Sequence, residues 1–129
     1  MRMARSTKAM TILLIEDHED TVRYIKRFLD QLGHEVIVAA DGASAVGVVN
    51  ARHFDVILSD IGLPDGDGWS LMERIRGHTR AYAIAMSGFG AAGDVARSRS
   101  VGYHDHLTKP FTPDKLRETL ERAELSGAG

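Results

Sequence analysis

Five short apolar runs recur along the chain, and stretches of helical period separate them. The runs are Thr11-Ile12-Leu13-Leu14-Ile15, Val36-Ile37-Val38-Ala39-Ala40, Val56-Ile57-Leu58, Ala83-Ile84-Ala85-Met86 and the more polar Tyr103 to Leu107. None alternates in and out like a half-exposed strand. Each therefore suits a strand covered on both faces, as in a parallel sheet. Between them, Val22, Ile25, Phe28, Leu29 and Leu32 share one helical face, and Gly33 ends it. Asp41 is placed to cap a helix that turns Ala45, Val46 and Val49 inward. Trp69, Leu71, Met72 and Ile75 fit a third helix that stops at Gly77. Thr112 and Pro113 open the last one, with Leu116, Leu120 and Ala123 as its stripe. The fourth, roughly 91–101, is poorly patterned: its large apolar residues are Val95 and Val101.

Five strands alternating with five helices predict a single-domain, doubly wound α/β three-layer sandwich. The expected parallel strand order is 2-1-3-4-5. The domain is expected over 10–125, with flexible tails at 1–9 and 126–129. Lys and Arg number 16 against 18 Asp and Glu. This balance speaks against direct nucleic-acid binding, which usually needs a strongly basic domain. The absence of cysteine excludes disulfides, thiolate metal sites and cysteine nucleophiles. No apolar run approaches the roughly 20 residues needed to cross a bilayer, so no membrane insertion is expected. The basic start lacks the apolar stretch of a secretory signal, and the cytoplasm is the expected compartment.

In open α/β sheets the site lies beyond the carboxyl ends of the strands. Those ends carry Glu16-Asp17, Asp60, Ser87 and Lys109-Pro110, whereas the second strand ends in the bland Ala39-Ala40. Three carboxylates in one pocket call for a cation or a raised pKa. Oxygen donors with no His or Cys nearby favour Mg²⁺, with Mn²⁺ as substitute, over zinc. Lys109 offers a point charge and Ser87 a hydroxyl to a phosphoryl group, and a central Asp can act as its nucleophile.

These residues resemble the receiver domain of two-component response regulators. The matching segments are Ile15-Glu16-Asp17, Ser59 through Gly68, Met86-Ser87-Gly88 and Leu107-Thr108-Lys109-Pro110-Phe111, in that order and at similar intervals. The resemblance implies a flavodoxin-like (βα)5 fold with Asp60 as phosphoacceptor and Ser87 and Lys109 as its catalytic partners. It implies Glu16, Asp17, Asp60 and the Gly62 main-chain carbonyl as metal ligands, with the contact of Glu16 running through water. Ser87 and His106 resemble the switch pair, His106 standing in place of the usual Tyr or Phe and turning inward after phosphorylation. A cis peptide before Pro110 is also implied. The implied partners are a histidine kinase or histidine phosphotransfer protein, and a downstream protein on the face of helix 4, strand 5 and helix 5. The implied module is not an enzyme with turnover on other molecules, catalysing only its own phosphorylation and dephosphorylation. Ile61-Gly62-Leu63-Pro64 and Ser87-Gly88-Phe89-Gly90 look like receivers attached to sensor kinases.

Gly88-Phe89-Gly90-Ala91-Ala92-Gly93 matches the dinucleotide pattern G-x-G-x-x-G, but the acidic residue expected about 20 positions on is Lys109-Pro110 instead. His104 and His106 lie two apart and are expected on one strand face, as half-buried strand residues rather than a metal pair. The alternatives to a phosphoacceptor are a small Mg²⁺-dependent phosphatase using an aspartyl phosphate, and a receiver-like binding module that is never phosphorylated.

Overall fold

A computed structural model describes residues 8–88 and 92–127. Most of the two expected tails, and residues 89–91 of the glycine-rich segment, lie outside the described residues.

The elements run β1 (Thr11–Ile15), α1 (Glu19–Gln31), β2 (Glu35–Ala39), α2 (Gly42–Ala51), β3 (Val56–Asp60), α3 (Gly68–Ile75), β4 (Tyr82–Ser87), α4 (Ala92–Val101), β5 (Asp105–Thr108) and α5 (Pro113–Leu125). The five strands form one parallel sheet in the order β2-β1-β3-β4-β5, as expected. A small antiparallel ribbon, Gly62–Leu63 with Gly66–Asp67, was not foreseen. It follows β3 directly and bends the chain back toward α3.

Alternate strand residues bury on opposite faces. Leu13, Ile15, Ile57, Ala83 and Ala85 pack with Phe54, Leu71, Met72 and Ile75 on the side of α2 and α3. Ile12, Leu14, Val56, Leu58, Ile84 and Met86 pack with Ile25, Leu29, Leu116 and Leu120 on the side of α1 and α5. Covering both faces is why the runs read as continuous rather than alternating. Asp41, Asp67 and Thr112 cap their helices by accepting from the N–H of Ser44, Ser70 and Lys115 at 2.8, 2.8 and 3.1 Å. Gly33 ends α1 at φ +91°, a conformation costly for any residue with a Cβ.

The last strand begins two residues later than the apolar run. The Tyr103 N–H still bonds back to the Ser98 carbonyl, closing α4, and the ring enters the core at 3% exposure. The poorly patterned α4 is nonetheless helical. Its inward residues are Ser98 and Val101, and the buried Ser98 hydroxyl accepts from the Trp69 indole N–H at 3.0 Å. The Arg97 guanidinium stacks over the Trp69 ring, 4.2 Å from its centroid.

Candidate functional site

Parallel strands deliver Glu16, Asp60, Ser87 and Lys109 to one edge of the sheet. Glu16 follows β1 and is fully buried, its N–H held by the Ala39 carbonyl at 3.0 Å. Asp60 and Ser87 are the last residues of β3 and β4, and both are buried. Lys109 follows β5, and its N–H donates to the Ser87 carbonyl at 2.7 Å. The Lys109–Pro110 peptide is cis.

The Lys109 Nζ donates to Glu16 Oε1 at 2.8 Å and stands 3.4 Å from Asp60 Oδ1. One ammonium group thus serves two buried carboxylates. Burial is the largest influence on Glu16 and favours its neutral form, but hydrogen bonds from Lys109 and His18 outweigh it and hold its pKa below the ordinary value. Asp60 goes the other way. Burial and then the Glu16 charge raise its pKa, and Lys109 and the Gly62 N–H offset this only in part.

Ligand atoms of Glu16, Asp17, His18 and Asp60 all lie within 4.8 Å of one another. The expected carboxylate cluster therefore forms, and its donor chemistry suits a divalent cation. The premise that no histidine stands nearby is overturned. His18 Nδ1 is 2.9 Å from Glu16 Oε2 and 3.5 Å from Asp17 Oδ1. Its position directly after the acid pair was the available signal. His18 is the N-cap of α1, and the main-chain geometry there turns its ring toward the acid pair.

Ser87 Oγ lies 2.9 Å from His106 Nε2. The ring thus engages the hydroxyl in this structure. An imidazole differs from a phenyl ring in having a nitrogen that binds a hydroxyl directly. Of the two histidines expected as half-buried strand residues, His106 is one, in β5, whereas His104 is exposed and lies outside the strand. His104 precedes β5, stacks on Tyr82 with centroids 4.9 Å apart, and accepts from the Ala83 N–H at 3.0 Å.

The loop after Asp60 is fixed at several points. Ile61 donates its N–H to the Met86 carbonyl at 2.9 Å and accepts from the Gly68 N–H at 2.7 Å. The Tyr103 hydroxyl donates to the Gly68 carbonyl at 2.9 Å. The Asp65 carboxylate accepts from the N–H groups of Gly42 and Ala43 at 2.9 and 3.0 Å, tying the loop to the start of α2. Neither Tyr103 nor Asp65 was singled out from sequence, since both act through backbone brought near only by the fold.

Residues 12–121 match the model of the response regulator receiver domain family. The chain belongs to this family, a signalling module of two-component systems. It is 34% identical over 113 residues to the sensor histidine kinase RcsC of Escherichia coli strain K12, covering 86% of this chain and 12% of that protein. It is 29% identical over 128 residues to the virulence sensor protein BvgS of Bordetella bronchiseptica, covering 93% of this chain and 10% of that protein. The chain thus spans about a tenth of the length of these curated relatives. Among solved structures it resembles a two-component response regulator from Clostridium difficile, with TM-score 0.87, 26% identity, and 92% of this chain and 98% of that one covered. It also resembles the receiver domain of the sensor histidine kinase PA1611 from Pseudomonas aeruginosa PAO1. There the TM-score is 0.81 and the identity 34%, over 89% of this chain and 97% of that one. That receiver domain carries a magnesium ion coordinated in its active-site cleft. No helix among the described residues is long and apolar enough to cross a membrane.

Proposed function

We propose that this receiver domain takes a phosphoryl group from a phosphohistidine of a histidine kinase or histidine phosphotransfer protein onto Asp60, in a magnesium-dependent reaction. The observation that carries the reading is one buried carboxylate, Asp60, standing 3.4 Å from the Lys109 ammonium and within a cluster of further carboxylates. An Asp60 oxygen attacks phosphorus in line, the phosphorus–imidazole nitrogen bond breaks, and its electron pair leaves with the imidazole. Lys109 neutralises charge on the phosphoryl oxygens, and the Ser87 hydroxyl donates a hydrogen bond to one of them. Glu16, Asp17, Asp60 and the Gly62 carbonyl would hold Mg²⁺, for which Mn²⁺ is a substitute. The ion supplies charge neutralisation between the carboxylates and the incoming group.

A mostly apolar groove of about 590 Å³ runs beside Lys109, lined by Asp20, Thr21, Tyr24, Ile25, Pro110 and Phe111. It offers the phosphodonor protein a seat next to the acceptor. The phosphorylated state then alters the face of α4, β5 and α5, reached through Ser87 and His106, and a downstream protein reads that face. We assign the domain to the cytoplasm and no turnover on other molecules.

Residue-level NMR with Mg²⁺ and beryllofluoride tests this reading. Shifts at Asp60, Ser87, Lys109 and along β5 are expected, and Asp60→Asn abolishes them. An unchanged spectrum of the native chain would overturn it.

A further inference from the structure

We propose that His18 is a nitrogen ligand of the carboxylate site and selects divalent d-block cations such as Ni²⁺, Co²⁺ and Zn²⁺ over Mg²⁺. This rests on reading the cluster as a cation site.

Residue 18 is the N-cap of α1, at φ −78° and ψ 114°. Ser, Thr, Asp or Asn usually fills that position and caps the helix with its side chain. His18 makes no side-chain cap. Its main chain does the local work instead: the carbonyl accepts from the Val22 N–H at 2.9 Å, and the N–H donates to Glu16 Oε2 at 3.3 Å. The ring is left to the acidic cluster, with Nδ1 facing Glu16 and Asp17.

The dimensions suit one shared ion. Two ligands on opposite sides of a cation at about 2.1 Å each stand about 4.2 Å apart. The ligand atoms of Glu16, Asp17, His18 and Asp60 span no more than 4.8 Å, so small side-chain shifts bring them onto a common centre. Glu16 is the most committed of the four, because Lys109 already holds its Oε1 at 2.8 Å. Asp17, Asp60 and His18 remain as two carboxylates and an imidazole. Carboxylates alone suit Mg²⁺ and Mn²⁺, whereas an added imidazole favours nickel, cobalt and zinc. The His18 side chain is 70% exposed, so its ring has room to pivot from Glu16 onto an ion and its replacement leaves the core untouched.

The test is calorimetric titration of the untagged chain with NiCl₂ and separately with MgCl₂, for the native protein, His18→Ala and Asp60→Asn. His18→Ala is expected to weaken Ni²⁺ at least about tenfold while Mg²⁺ affinity stays within about twofold. Asp60→Asn is expected to weaken both cations. In native protein, Co²⁺ is expected to shift the His18 ring signals ahead of those of the other histidines. Equal losses of Ni²⁺ and Mg²⁺ affinity in His18→Ala, or no loss of either, would overturn the assignment while leaving the cation site standing. Ni²⁺ binding that Asp60→Asn does not weaken would overturn it too, by placing that ion elsewhere. Native protein that binds neither cation would overturn the site itself.

Discussion

His106 Nε2 lies 2.9 Å from Ser87 Oγ, while the other ring nitrogen, Nδ1, is buried with no hydrogen-bond partner among the described residues. A protonated ring would bury an unmatched N–H there. Burial accordingly lowers the His106 pKa from its ordinary 6.5, and Asp94 and Asp105 offset this only in part. The unfolded chain takes up its proton first as the pH falls. The contribution to stability is therefore complete above about pH 6.5 and lost as the pH falls from there toward the lower folded-state value. His34, also lowered by burial, acts in the same sense, and His18, raised by its hydrogen bond to Glu16, acts in the opposite one. Comparison with His106→Phe isolates the term. Urea unfolding at about pH 7.5 and about pH 5.5 is expected to show a smaller loss on acidification in the variant. Equal losses in both proteins would refute the assignment.

Gly68 marks where the backbone after Asp60 closes most tightly. A Cβ there would stand 2.7 Å from the Asp60 carbonyl, 3.0 Å from Ile61 Cα and 3.1 Å from the Tyr103 hydroxyl. Gly68→Ala is expected to destabilise the fold by about 1–3 kcal/mol and to move the Ile61 amide resonance. Gly47 gives the opposite sign. It lies inside α2 with nothing within 4 Å of its added Cβ, so Gly47→Ala is expected to stabilise by about 0.5–1 kcal/mol. Denaturant midpoints of the two variants that shift in the same direction would contradict this.

Lys109 and Glu16 form an ion pair at 2.8 Å around a fully buried carboxylate. Lys109→Met keeps the stem of the side chain but leaves a buried carboxylate without its cation. The expected cost is about 3 kcal/mol. Glu16→Gln keeps an oxygen that accepts from Lys109 and is expected to cost nearer 1 kcal/mol. Urea unfolding of both checks the ranking, and a reversed order would contradict it.

Much of this architecture is written locally. The two-faced burial of Leu13 and Leu14 dictates continuous apolar runs, and Asp41 and Thr112 announce their helices by capping chemistry. The strand ends then follow from topology, which is why Asp60, Ser87 and Lys109 were legible. Contacts made across the fold were not. Tyr103 reads as a strand residue but closes α4 and grips Gly68. Asp65 carries no local signal of its role, yet it caps α2 from another loop. Residue type misled at His106, whose ring takes a polar partner that a switch aromatic does not announce, and His18 joins an acid cluster that was read without it.

Trp69 shows how such a contact steadies a weak element. Its indole N–H reaches the buried Ser98 hydroxyl, and Arg97 covers its ring. Trp69→Phe removes that donor and is expected to cost about 1–2 kcal/mol, with faster amide exchange through residues 93–101. Unchanged exchange there would show that α4 is held by other means.

The role of Asp60 is tested most directly by mass spectrometry of the chain after incubation with Mg²⁺ and a small phosphodonor, with the modified peptide located by fragmentation. One added phosphoryl group on Asp60 is expected, absent in Asp60→Asn and absent when the cation is chelated. A phosphoryl group on any other residue, or one gained equally with the cation removed, would contradict it.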